Sequence, residues 1–64
     1  MNSDQIEGKW NQIKGSAKAQ WGKLTDDDIT EIDGKTDKLV GKIQERYGVA
    51  REEAEKRVEQ WDAA

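Results

Sequence analysis

The sequence predicts an all-α protein in which two helix-turn-helix hairpins, related by an internal duplication, form a four-helix arrangement. The 64 residues include no proline, so helix is permitted along the whole chain. Apolar residues recur at spacings of three and four, which is the period of one face of a helix. The chain also matches itself when it is shifted by 26 positions. Together these observations indicate four amphipathic helices in two similar pairs.

The internal repeat divides one domain, residues 1–64, into a first copy over 3–33 and a second copy over 34–62. Three pairs of glycines coincide at this offset, and Trp21 coincides with Tyr47. The glycine pairs are Gly8 and Gly34, Gly15 and Gly41, and Gly22 and Gly48. Each hairpin alone is too thin to bury its apolar face, so we expect the two hairpins to pack against each other.

The first repeat contains a long helix followed by a short one. The apolar face of the long helix consists of Ile6, Trp10, Ile13, Ala17, Trp21 and Leu24. We predict that Gly22 ends this helix in a left-handed conformation. Thr25 is the predicted N-cap of the short helix, whose first turn carries three aspartates that complement the helix dipole. Ile29 and Ile32 form its buried side, and Gly34 ends it.

The second repeat follows the same plan. Thr36 is the predicted N-cap of its first helix, which ends at Gly48. The apolar residues of this helix are Leu39, Val40, Ile43 and Tyr47, and those of the last helix are Ala54, Val58 and Trp61. Burying one tryptophan stabilises the fold by about 5 kcal/mol at most. The three tryptophans are therefore the predicted reason that so polar a chain folds.

Three glycines, Gly8, Gly15 and Gly41, lie within predicted helices on the side away from the apolar face. A glycine inside a helix costs about 1 kcal/mol relative to alanine. Two interpretations remain open: a solvent face that tolerates this cost, or a surface that a helix of another molecule approaches closely.

The composition excludes several classes of function. The absence of cysteine and histidine removes disulfides, thiolate metal sites and the usual proton shuttle of enzymes. Gly34-Lys35-Thr36 matches the end of a phosphate-binding P-loop, but the first glycine of that motif is replaced by Ile29. The consecutive acids Asp26, Asp27 and Asp28 lack the alternating spacing of a calcium-binding loop. We therefore expect no enzymatic activity, no metal and no cofactor.

The same composition guides the expected location and partners. No apolar run approaches the roughly 18 residues that cross a bilayer, and the N-terminus lacks the pattern of a secretory signal. We expect a cytoplasmic protein with no membrane insertion. The net charge of −3 is unfavourable for nucleic acid as an obligate partner. We expect a monomer, and leave a protein partner and self-association open.

Four cations, Lys35, Lys38, Lys42 and Arg46, align along one side of the third helix. This basic stripe is the candidate anion-contact site, because such a row can follow the phosphates of a nucleic acid or a membrane surface. The alternative is structural. The formal charge is +2 over residues 1–24, −5 over 25–34, +2 over 35–48 and −2 over 49–64. Each basic first helix therefore suits ion pairing with the acidic second helix of its own hairpin.

Four blocks of the sequence are distinctive: Gly8-Lys9-Trp10, the segment from Gln20 to Asp28, the segment from Gly41 to Gly48, and the acidic helix from Glu52 to Val58. These blocks resemble the CsbD-like family of small bacterial proteins. The resemblance spans roughly residues 3–61. It implies a bacterial protein linked to the general stress response, with no established biochemical activity. It also implies two hairpins packed crosswise, similar to a SAM domain. Ala50 departs from the family, which often has a small polar residue there.

The residues and the resemblance together favour a non-enzymatic, stress-associated protein that acts through surface interactions. The alternative function is an anion-binding module that uses the basic stripe of the third helix. Binding that falls steeply with salt would favour this alternative.

Overall fold

The computed structural model describes the chain from residue 3 to residue 61, and its side chains from residue 6 onward. This part of the chain contains four α-helices and no strand, so the all-α prediction is confirmed. The helices are α1 (Ser3–Gln20), α2 (Asp26–Ile32), α3 (Thr36–Tyr47) and α4 (Arg51–Gln60). Two helices fall in each predicted repeat. The crosswise packing of the hairpins and the similarity to a SAM domain stay predictions.

The core lies around α3, which contacts each of the other three helices. The buried apolar residues of the core are Ile6, Trp10, Ile13, Ala17, Trp21, Leu24, Ile29, Ile32, Leu39, Val40, Ile43, Ala54, Val58 and Trp61. Every apolar position that the helical spacing assigned to the core is buried except Tyr47, which is partly buried and packs against the core together with Val49. The predicted apolar faces are therefore confirmed, with Tyr47 at the edge.

Two tryptophans from different hairpins meet in this core. The rings of Trp21, after α1, and Trp61, after α4, pack edge to face with centroids 4.9 Å apart and planes at 69°. Such a pair stabilises the fold by about 0.5–1.5 kcal/mol beyond the area it buries. The Trp61 indole also donates a 3.4 Å hydrogen bond to the hydroxyl of Ser16 in α1. The end of the second hairpin is thus attached directly to the first helix.

The helix starts differ in how well they are capped. Thr25 caps α2 as predicted: its hydroxyl accepts from the Asp28 amide at 3.1 Å, and its own amide donates to the Asp28 carboxylate at 3.0 Å. Thr36 does not cap α3, because the first helical hydrogen bond runs from the Leu39 amide to the carbonyl of Lys35, which takes the N-cap position without a side-chain bond. Ala50 precedes α4 and likewise supplies none.

The left-handed residues lie only partly where the sequence predicts them. Gly48 ends α3 with φ of 65°, and its amide donates to the Gln44 carbonyl, which confirms that prediction. The prediction for Gly22 is wrong, since Gly22 is not left-handed. There the chain turns through a hydrogen bond from the Leu24 amide to the Trp21 carbonyl.

The glycines within helices lie in open space in this chain. A Cβ atom added to Gly8, Gly15 or Gly41 would meet no atom within 4 Å apart from the helix itself. No other helix of the same chain therefore approaches these positions. The approach of another molecule stays a prediction.

Gly48→Ala should lower the free energy of unfolding by about 1–2 kcal/mol, because alanine resists the left-handed conformation. No neighbouring atom would clash, so the effect isolates the backbone. Gly15→Ala is the matched control and should raise the free energy of unfolding by about 0.5–1 kcal/mol. Urea denaturation of both variants measures the difference. Equal effects of the two substitutions would contradict the left-handed end of α3.

Candidate functional site

Asp28 is the single buried charged residue in the described part of the chain, with 2 % of its surface exposed. It lies in the first turn of α2 and is one of the three aspartates predicted to complement the helix dipole. Its neighbours Asp26 and Asp27 are exposed. Burial of a carboxylate is unfavourable unless partners satisfy its charge and its lone pairs. The surroundings of Asp28 are therefore the most informative polar site of the fold.

Arg46 of α3 holds the Asp28 carboxylate with two hydrogen bonds. Its Nε donates to Oδ2 at 2.8 Å and its Nη2 donates to Oδ1 at 3.0 Å. This paired geometry is the strong, directional form of an arginine–carboxylate interaction. The Thr25 amide supplies a further donor to Oδ2, so both carboxylate oxygens are bonded. Asp28 thus joins the start of α2 to the last turn of α3.

Lys42, one turn before Arg46, extends the contact. Its Nζ lies 2.5 Å from a Glu31 carboxylate oxygen, 3.4 Å from Oδ1 of Asp28 and 3.9 Å from Glu45. The Lys42 side chain is only 21 % exposed, so solvent weakens these pairs less than at an open surface. We call Thr25, Asp28, Glu31, Lys42 and Arg46 the Asp28 network. It connects the first hairpin to the second.

The network sets the ionisation of its members. The hydrogen bonds from Arg46, followed by that from the Thr25 amide, hold the pKa of the Asp28 carboxyl well below its usual range, although burial acts in the opposite direction. The pKa of Lys42 is raised, mainly by its hydrogen bond to Glu31, and the pKa of Arg46 is raised by Asp28. All three groups are therefore charged at neutral pH.

The structure separates the four cations of the candidate anion-contact stripe into two pairs. Lys42 and Arg46 are engaged by α2 in the Asp28 network. Lys35 lies at the surface, 3.5 Å from Glu7 of α1, and Lys38 is exposed, without an ion pair to any described side chain. Anion contact by the stripe stays a prediction. An anion that approached Lys42 or Arg46 would compete with carboxylates already in place.

The ion pairs follow the predicted pattern only in the first hairpin. There Lys18 of α1 pairs with Asp26 of α2, as expected from their opposite charges. In the second hairpin, the pairs of α4 lie within that helix, from Arg51 to Glu55 at 2.9 Å and from Arg57 to Glu53 at 3.4 Å. The basic side of α3 instead faces α2 of the other hairpin. Charge complementarity therefore acts between the hairpins as well as inside the first one, because α2 packs against α3.

Two shallow hollows lie on the described surface. One, of about 400 Å³, lies between α1 and α2 above Trp10 and Ile29. The other, of about 290 Å³, lies beside Tyr47, whose ring has the Lys23 ammonium at 5.2 Å and the Arg57 guanidinium at 5.5 Å.

The described residues contain no cluster of acids suited to hold a metal ion. None of the described helices has the length and apolar character that crossing a membrane requires.

The comparison with known protein families decides the assignment. The model of the CsbD-like family matches residues 4–56. The chain belongs to this family. The resemblance found in the sequence is thereby confirmed, and CsbD-like membership supports a small, stress-associated protein.

The relatives of this CsbD-like chain are bacterial. A UPF0337 protein of Pectobacterium atrosepticum is 64 % identical over 62 residues, which cover 97 % of this chain and 90 % of the relative. The UPF0337 protein YjbJ of Escherichia coli K12 is 61 % identical over the same length, with the same coverage. A UPF0337 protein of Protochlamydia amoebophila is 57 % identical over 56 residues, covering 88 % of this chain and 85 % of the relative.

The sequence of this CsbD-like chain contains a signal for the network that helical spacing alone does not reveal. The three residues at its centre are all departures from the internal repeat. At the offset of 26 positions, Asp28 corresponds to Ala54, Lys42 to Ser16, and Arg46 to Gln20. Asp28 and Ala54 are both buried, so the repeat preserves burial while it changes the chemistry. This mismatch alone does not identify a buried charge, because Lys14, whose repeat partner Val40 is buried, is exposed.

Asp28→Asn should lower the free energy of unfolding by roughly 2–3 kcal/mol at pH 7, because the amide leaves Arg46 without a counter-charge. Asp27→Asn is the matched control in the same helical turn and should change stability by less than about 0.5 kcal/mol. Chemical denaturation of the two variants measures both effects. Similar losses at the two positions would contradict the role of Asp28.

The pH dependence provides a separate measurement. The folded-state pKa of Asp28 lies below the ordinary value of 3.8, so the folded protein binds fewer protons at this site than the unfolded chain. Its stabilising contribution is complete above about pH 5 and falls as the pH drops through 4 toward the folded pKa. The stability difference between the native protein and Asp28→Asn should therefore shrink on acidification. A constant difference from pH 7 to pH 2 would contradict the lowered pKa.

Proposed function

We propose that this CsbD-like chain is a non-enzymatic, stress-associated cytoplasmic protein that acts by binding another protein through its polar surface. One observation carries the proposal: no large hydrophobic side chain is exposed in the described part of the chain. The apolar residues are used in the core, and the surface offers charged and amide groups. Such a surface suits reversible polar contacts.

The ionisable groups support a role without catalysis. An acid or base catalyst needs a pKa near the working pH and access to a substrate. Asp28, the one buried carboxylate among the described residues, has its pKa shifted away from neutrality and both of its oxygens bonded to residues of the fold. The strongest electrostatic feature of the chain therefore holds helices together, and its charge is already neutralised by Lys42 and Arg46.

The surface also indicates the kind of binding. Tight protein interfaces depend on a few large aromatic or apolar side chains in a dry centre. The described surface supplies none of these, apart from the partly exposed edge of Tyr47. Contacts made mainly by charged side chains weaken as salt screens them. We therefore infer an association of modest affinity.

Crosslinking in living cells tests the proposal. A photo-reactive residue is placed at exposed Gln12 of α1, at exposed Lys38 of α3 or at exposed Glu59 of α4, and the protein is purified after stress. We expect a discrete protein crosslinked from one of these helices in stressed cells and not from the other two. Unstressed cells and the purified protein alone are the controls. Crosslinks absent from all three helices would contradict partner binding through the described surface.

The second candidate function is anion binding, and the exposure of Lys35 and Lys38 is the observation that favours it. Two accessible cations neutralise few phosphates, and Lys35 already lies 3.5 Å from the Glu7 carboxylate. We expect duplex DNA to bind no more tightly than about 100 μM at physiological salt, as in non-specific binding. NMR titration with a short duplex measures this affinity and locates the contact.

A pair of charge reversals distinguishes specific from diffuse contact in that titration. Lys35→Glu with Lys38→Glu spares the Asp28 network, and Lys9→Glu with Lys14→Glu on α1 makes the same change in net charge. Both double variants should weaken the residual DNA binding equally. Sub-micromolar binding that only the first double variant abolishes would overturn the proposal in favour of the stripe.

A further inference from the structure

The connection between the two hairpins is short and conformationally costly. Only residues 33–35 separate α2 from α3. Asp33 has φ of 45° and ψ of 40°, and it is the single non-glycine residue with positive φ in the described part of the chain. Gly34 follows with φ of 80°. The left-handed conformation is unfavourable for a residue with a side chain, so this turn stores strain at Asp33.

Gly34 is also held tightly against α1. A Cβ atom at this position would lie 3.0 Å from the Glu7 Cα and 3.1 Å from the Trp10 Cβ. The turned connection therefore depends on a glycine for two reasons, the sign of φ and the lack of space. Any side chain at position 34 would disfavour the turn.

The turn leaves the start of α3 poorly supplied with capping hydrogen bonds. Lys35 makes no capping hydrogen bond, and the buried Thr36 hydroxyl has no hydrogen-bond partner among the described residues. The first amides of a helix need acceptors, which a preceding helical turn would supply. No proline prevents α2 from continuing into α3. A straight connection would thus relieve the strain at Asp33 and satisfy the start of α3.

Straightening would separate the hairpins of one chain but leave their contact surfaces complementary. A continuous helix over residues 26–47 is about 33 Å long. Its two halves could not pack on each other, so α2 would need α3 of another copy. The Asp28 network specifies that pairing. If two first hairpins packed against each other instead, Asp28 would be buried without a cation. The reason is that the repeat equivalents of Lys42 and Arg46 in the first hairpin are Ser16 and Gln20.

We propose that two copies of this chain exchange their first hairpins, with α2 and α3 joined as one helix in each copy and Asp28 of one copy paired with Arg46 of the other. The partner is a second copy of the same chain, and the interface is the contact that the single chain makes within itself. A short, strained connection between two packed units favours such an exchange. This inference is independent of the partner protein proposed above.

Gly34→Ala provides the first test. Alanine disfavours the turned connection and favours the continuous helix. We expect the dimer dissociation constant to fall by at least about tenfold relative to the native chain, measured by analytical ultracentrifugation after refolding at high concentration. Gly15→Ala, which improves α1 without touching the connection, should leave the constant unchanged. A folded, monomeric Gly34→Ala variant would overturn the proposal.

A mixing experiment tests the exchange even if Gly34→Ala fails to fold. One chain carries Asp28→Arg and the other Arg46→Asp, both with Lys42→Gln to remove the remaining lysine. Each chain alone faces like charges in its monomer and in its homodimer. In the exchanged heterodimer, one interface has the native pair and the other has the reversed pair.

We expect the two chains, refolded together, to form a folded heterodimer that neither forms alone. Native mass spectrometry identifies it through the mass difference of the chains, and circular dichroism reports the recovery of helix. The triple variant with Asp28→Arg, Lys42→Gln and Arg46→Asp in one chain is the control for the reversed pair. If this control folds and the mixture yields no heterodimer, hairpin exchange is wrong. If the control does not fold, the native chain decides: a native chain that stays strictly monomeric after refolding at high concentration, measured by analytical ultracentrifugation, overturns the exchange.

Discussion

The Asp28 carboxylate lies out of water at the contact between α2 and α3, and the arrangement of the hairpins depends on how its charge is satisfied. A buried charge without partners would cost more than a chain of 64 residues can sustain. Arg46 and the Thr25 amide bond both oxygens, which requires α2 to lie along the last turns of α3. The network thus acts as a constraint on orientation, whereas the apolar core provides most of the stabilisation.

The apolar core has to stabilise the fold with few residues. Hydrophobic residues make up 33 % of the chain and charged residues 39 %, yet every apolar helix position found by spacing is buried or lies at the core's edge. The contact of Trp21 with Trp61 brings the ends of both hairpins together. Because nearly all apolar surface is used internally, the described exterior is polar. The partner binding proposed above would therefore depend on charge and hydrogen bonds.

The duplication explains the general plan, and the departures from it explain the specificity. A chain of two similar hairpins has several ways to pair its apolar faces, including pairing with a second copy. The repeat partner of Ala54 is Asp28, and the repeat partners of Ser16 and Gln20 are Lys42 and Arg46. These differences make the two hairpins complementary to each other and not to themselves. A buried polar pair of this kind selects a partner surface, a role well established for polar residues inside coiled coils. The strained connection at Asp33 then leaves open which copy supplies that partner surface.

The sequence by itself determined the helices, their buried faces, the capping of α2 by Thr25 and the left-handed end of α3 at Gly48. These features depend on periodicity and on hydrogen bonds between residues a few positions apart, so a local pattern is enough to predict them. The wrong assignments at Gly22 and Thr36 are also local, and arose because the turns before α2 and α3 close through backbone hydrogen bonds that leave no composition signal. Only the tertiary structure decided that Asp28 is buried and that Lys42 and Arg46 pair with it. The physical reason is that a charge pair across 18 positions exists only after α2 has packed against α3, and helical spacing alone does not state which helices become neighbours.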